Sequence, residues 1–125
     1  MHRDIEVAHK HCLAMRALII HDLGGHEDGE ALSKLREMSR KAAAAIDDVD
    51  CKSLLSLVDG YGADLFSKSG HLKWARTHVS GADFLRLQIL RELDAFHARL
   101  LQLEATRNAA ARSTASLSSD RRSSG

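Results

Sequence analysis

Hydrophobic residues recur along this chain at three- and four-residue steps, the period of an α-helix. From Asp4 to Leu23, the residues Ile5, Ala8, Cys12, Met15, Ile19 and Leu23 fall on one stripe, which Leu13 and Ile20 widen. Arg3, Glu6, Lys10 and His21 fall opposite, and Gly24 with Gly25 supplies a left-handed cap that ends this first predicted helix. A second helix begins at Asp28, a good N-cap, and carries Ala31, Leu35, Met38, Ala42, Ala45 and Val49 as a bundle seam. Its small alanines predict a close helix approach. Asp47, Asp48 and Asp50 then break the pattern and supply caps for a third helix from about Cys51.

That third helix carries Leu54, Val58, Tyr61 and Leu65 on one stripe, with Leu55, Leu57 and Phe66 beside it. Gly60 and Gly62 weaken its middle by about 1 kcal/mol each relative to alanine, which predicts a close approach or a bend there. "SKSG" reads as a helix end with Gly70 at the cap. Residues 71–79 read as a short extra helix or an irregular connector, with Leu72, Ala75 and Val79 on one side. Ser80 with Asp83 forms a capping signature for a last helix from Gly81 to about Arg107. Its apolar arc is wide: Leu85, Ile89, Leu93, Phe96, Leu100 and Leu103 form one half, and Leu87, Leu90 and Leu101 the other. From Arg112 on, "RSTASLSSDRRSSG" is serine-rich and aperiodic, the composition of a disordered tail.

The expected fold is therefore all-α: an antiparallel four-helix bundle over 1–111, with or without the short helix at 71–79, and a disordered tail over 112–125. The last helix has more apolar surface than one core needs. That predicts a second packing partner, with Leu87, Leu90, His97 and Leu101 at the interface of a homodimer.

Composition narrows the function. With 18 basic against 17 acidic residues and a net charge of +1, the chain lacks the basic excess of a nucleic-acid binder and offers no charge to an anionic membrane. No apolar run reaches transmembrane length. "MHRDIEVAHKHC" is charged and amphipathic, unlike a secretory leader, and two isolated cysteines, Cys12 and Cys51, fit a reducing cytoplasm.

Eight histidines bring metal binding into play. His9 and Cys12 share a helical face, and His97 lies within the wide arc of the last helix, in line with Arg86 and Glu104. Were the first and last helices neighbours, His9, Cys12 and His97 would converge on a zinc ion with one open position. Set against this, Cys12 reads equally as a small core hydrophobe and His97 as a seam histidine with a hydrogen-bonded ring. The layout resembles chemoreceptor zinc-binding domains, which are small helical bundles with histidine and cysteine ligands. The tryptophan-containing motifs of that family are absent around Cys51, His71 and His97, so membership does not follow.

Weaker patterns point to enzymes. "GHLKWA", with His71 and with His78 seven residues on, resembles histidine phosphotransfer modules, but Lys73 is one residue too near and Trp74 stands where a small residue would admit a partner. Arg3…His9, Arg16…His21 and Arg91…His97 match the arginine–histidine spacing of HEPN-type ribonucleases, at a frequency chance supplies, and Ala17 replaces the usual polar residue after Arg16. Cys51 sits at a helix start, where thiol pKa falls, but Asp48 and Asp50 oppose a thiolate. Pairs such as Glu30 with Lys34 and Asp94 with Arg99 read as solvated faces. The expectation is a cytoplasmic, non-enzymatic bundle without cofactor, acting through protein contact as a homodimeric regulator or adaptor. The alternatives are a zinc-binding sensory bundle and a histidine phosphotransfer-like module.

Overall fold

The computed structural model describes residues 3–21, 28–75 and 81–124, with side-chain surroundings as far as Ser113 except at Lys68, His71 and Ala75. Gly24, Gly25, His78, Val79 and Ser80 lie outside the described residues. Among the described residues five helices follow in order: α1 (Arg3–His21), α2 (Gly29–Ala45), α3 (Val49–Leu65), α4 (Lys68–Ala75) and α5 (Gly81–Ser124). Among the described residues there is no strand.

The long helices form a closed ring in which α1 packs on α2, α2 on α3, α3 on α5, and α5 on α1. Cross-helix hydrogen bonds set the directions. The amide of Asp28 donates to the Phe66 carbonyl at 3.2 Å, and Ser39 Oγ donates to the Leu55 carbonyl at 3.5 Å, so α2 and α3 are antiparallel. Arg107 of α5 reaches Asp4 of α1 at 2.7 Å, whereas Arg86 reaches the carbonyls of Ile19 and Ile20 at 3.4 Å. Those two helices are antiparallel too. Arg99 on α5 meets Asp48 just before α3, while Trp74 links Asp64 near the end of α3 to Phe84 near the start of α5. The result is an up-down-up-down bundle with the short α4 laid across the α3–α5 gap.

Local chemistry explains the helix limits. Asp28 accepts from the Ala31 amide at 3.0 Å and Asp48 from the Cys51 amide at 3.0 Å, so each carboxylate caps the helix it precedes. The predicted seam of α2 holds at Ala31, Leu35 and Ala42, but the helix stops at Ala45. Ile46 then turns extended and fills the core at 1% exposure, while Val49, expected on that seam, opens α3 at 78% exposure. Leu57 is likewise exposed rather than packed. The one-sided core is completed by Leu55, Val58, Leu65 and Phe66 of the α3 region and by Leu85, Ile89, Leu93, Phe96 and Leu100 of α5. Each such side chain contributes about 1.5–3 kcal/mol by leaving water.

Two glycines turn out to be packing residues. A Cβ at Gly62 would overlap Leu35 Cδ2, so α3 approaches α2 there; Gly60 has nothing within 4 Å. Gly70 does not end a helix as expected. It lies inside α4, and a Cβ there would run into the Asp64 backbone. α4 consequently begins at Lys68, three residues before the predicted connector helix. Trp74 pins it, donating to Asp64 Oδ2 at 2.8 Å and stacking 4.9 Å from Phe84.

The last helix is assigned from Gly81 through Ser124. All residues from Ala105 to Ser113 are exposed.

The two central glycines should respond oppositely to alanine. Gly60→Ala should stabilise the fold by about 0.5–1 kcal/mol through helix propensity. Gly62→Ala should destabilise it by about 1–3 kcal/mol through overpacking against Leu35. Urea unfolding of both variants checks the pair.

Asp48 gives an acid-range prediction. The Arg99 guanidinium above all holds its carboxyl well below the usual carboxylate range; burial opposes this, and the Cys51 amide and thiol add to the lowering. A depressed folded-state value means its stabilisation is complete above about pH 5 and is lost as pH falls through about 4 and below. Asp48→Asn should therefore be less stable than the parent at pH 7, with the gap closing towards pH 2. Melting curves across that range would contradict this if the gap stayed constant.

Candidate functional site on the α1–α5 seam

The sequence places His9, Cys12 and Arg16 on successive turns of α1, at the flank of its buried stripe. On α5, Arg86, Leu90, Leu93, His97 and Glu104 form the corresponding flank. Because the two helices run antiparallel, these flanks face each other along one seam.

Contacts along the seam run from end to end. At the N-terminal end of α1, Asp4 accepts from Arg107, which holds its carboxyl below the usual range. Next, the His9 and His97 rings meet edge to face, with centroids 4.9 Å apart. His9 is half-buried and His97 exposed. Burial, then the neighbouring His97, lowers the His9 pKa, and Glu104 partly offsets this. One turn on, Cys12 is 3% exposed, and its thiol donates to the Leu93 carbonyl at 3.6 Å. Burial pushes that thiol up to about 11, so it stays protonated at neutral pH. Arg16 then pairs with Asp94 across the seam. At the far end the Arg86 guanidinium reaches the last carbonyls of α1, where a cation also suits the helix dipole.

A cavity of about 220 Å³ opens in the middle, lined by Cys12, Leu13, Arg16, Leu93, Asp94 and His97. Large apolar side chains stand around it. Leu13 and Ile20, expected to widen the buried stripe of α1, are 61% and 45% exposed. Leu87 and Leu101 are 65% and 49% exposed. Leu13 and Ile20 are seven residues apart, and Leu87, Asp94 and Leu101 repeat at the same interval, so each set keeps to one face of its helix. Leu90 is half-buried and packs on the core beneath.

The metal candidates are thus partly united. His9 and His97 touch, but the Cys12 sulfur is turned to the Leu93 carbonyl, and among the described residues no three such groups gather as a metal-binding cluster. The four interface candidates Leu87, Leu90, His97 and Leu101 share the α5 flank beside α1. What sequence reasoning missed is the contribution of α1 and the Arg16–Asp94 bridge; it had paired Asp94 with Arg99 on one helix. Arg99 instead turns to the opposite flank and grips Asp48 at 2.9 and 3.1 Å. The spacing of Leu13 from Ile20 was the available signal.

The other candidates lie elsewhere. Lys73 and Trp74 of α4 are engaged with Asp64, in a structural pin; the side chain of His71 is outside the described part. Cys51 is fully buried, and burial with Asp48 pushes its thiol up to about 12, as an unreactive thiol requires. No described helix is long and apolar enough to cross a membrane. No family model, curated protein or solved structure matches the chain.

Arg86 and Arg16 both bridge the seam, but with unequal consequences. Arg86→Ala should cost about 1–2 kcal/mol, since the last carbonyls of α1 lose a charged donor. Arg16→Ala removes an exposed ion pair and should cost less than about 1 kcal/mol. Chemical denaturation of the two variants would reject the account if their order were reversed.

Proposed function

We propose that this chain is a non-enzymatic helical-bundle protein that works through protein contact, by self-association over the α1–α5 face. One observation carries the reading. Seven large hydrophobic residues are exposed among the described ones, and four of them, Leu13, Ile20, Leu87 and Leu101, lie on this two-helix face at heptad spacing. Scattered exposed leucines are ordinary; a repeated two-helix stripe is the surface that packs helix against helix.

A second copy is the occupant that suits it. The two central ions, Arg16 and Asp94, are already paired with each other, so the face carries little net charge to repel its own duplicate. In an isologous dimer each surface must accept itself, and an apolar stripe around an internally neutralised ion pair does so. The 19 residues of α1 run about 28 Å, and two helices are about 20 Å wide. The resulting flat area of about 560 Å² is of the order of the ~800 Å² per partner of a stable interface. The continuation of α5 past the bundle adds further helix surface. The role that fits such a module is that of a small regulator or adaptor in the cytoplasm.

Sedimentation velocity tests this on the untagged chain. The parent should sediment as a dimer at high micromolar concentration, and Leu87→Glu with Leu101→Glu should give a folded monomer of unchanged helicity. These residues are exposed in the single chain, so the substitutions spare the core. A parent that stays monomeric throughout contradicts the proposal, and so does a dimer indifferent to both substitutions.

A further inference from the structure

The two histidines at the centre of the same face carry a more specific reading, which rests on the proposed dimer. His9 from α1 and His97 from α5 are brought to 4.9 Å between ring centres by the packing of two separate helices. The rings meet edge to face, 68° from coplanar. Centroids at that separation match two imidazoles sharing one ion, once rotation about χ2 turns their in-plane nitrogens from this edge-to-face contact toward a common point. The rings supply two nitrogens and no charge, which is half of a tetrahedral zinc sphere.

Among the described residues no group of three histidine, cysteine or carboxylate side chains gathers to complete such a sphere within one chain, with Glu104 near His9 but outside such a cluster. The Cys12 thiol lies one turn along α1, but it is buried beneath the seam and donates to the Leu93 carbonyl. Asp94 and Asp4 are taken by Arg16 and Arg107. Exposure points the other way: His97 is open to solvent, and His9 is half-buried at its side. Around them stand Leu13 and Leu101, the residues a second copy would cover.

We propose that His9 and His97 form half of a divalent transition-metal site, of the zinc class, which the same two histidines of a second copy complete. A twofold axis near the pair then presents four imidazoles to one ion. Each ring would offer one uncharged imidazole nitrogen to the ion. One ion per two chains stabilises the dimer and leaves the single bundle nearly unchanged.

Zinc titration of the untagged chain, followed by calorimetry and sedimentation, tests the proposal. Saturation should fall at half an equivalent of zinc per chain. The concentration at which dimers form should drop at least tenfold when zinc is added, and chelation should reverse the shift. His97→Ala, at an exposed position, should keep the melting temperature and lose both effects; His9→Ala should lose them as well. Cys12→Ser should retain them. Saturation at one zinc per chain without tighter assembly would overturn the shared site, as would loss of binding in Cys12→Ser, because each assigns the ligands to a single chain. A dimer that forms without zinc and ignores it refutes this inference while leaving the proposed self-association intact. A chain that stays monomeric with and without zinc refutes both.

Discussion

One carboxylate, Asp48, fixes how the bundle is assembled. It closes the three-residue link after α2, caps α3 through the Cys51 amide, and accepts two guanidinium N–H groups from Arg99 of α5. Its side chain is only 15% exposed, so the pair works in a partly desolvated setting, where a bidentate geometry counts for more than on the surface. The consequence is rotational. Burial of the apolar stripe of α5 sets the roll of that helix, and the anchoring of Arg99 on the α3 side reinforces it. Phe96 and Leu100 turn inward, and Leu101, two positions from Arg99 and about 200° around the helix, is left on the opposite flank.

The second constraint is the pairing of α1 with that flank. Arg86, Arg16 and Arg107 act at three heights along the seam, each reaching from one helix to an acceptor on the other. They hold α1 close enough to bury Cys12 but leave the outer shoulders of both helices uncovered. A broad apolar arc is thereby divided into a core half and an outward half. The outward half is what the function proposal uses, and the His9–His97 contact sits where a second copy would meet it. Packing, charge and chemistry converge on one surface.

Periodicity made most of the architecture legible. The buried set of α5 and the seam of α2 as far as Ala42 follow directly from helical spacing, and both aspartate caps from the residue types. The misreadings have local causes. Val49 continues a four-residue step, but the helix has already ended and Ile46 takes its place in the core by turning extended. Gly70 resembles a terminator, yet the close approach of the Asp64 backbone is what needs glycine there. Leu13 and Ile20 look like core because a helical stripe shows which residues cluster, not how much of the cluster a neighbour covers. At the site, the shared flank of Leu87, Leu90, His97 and Leu101 was visible on a single helix. The Arg16–Asp94 and His9–His97 contacts were not, since they depend on the antiparallel register of two helices about 80 residues apart.

In the proposed dimer the outward face of α1 and α5 is covered by a second copy. Methyl NMR with a soluble paramagnetic probe tests it most directly, comparing a dilute sample with one at high micromolar concentration. Leu13, Ile20, Leu87 and Leu101 should be relaxed by the probe when dilute and protected when concentrated, while Leu57 and Leu72 stay accessible in both. Equal accessibility of all six at both concentrations would contradict the account.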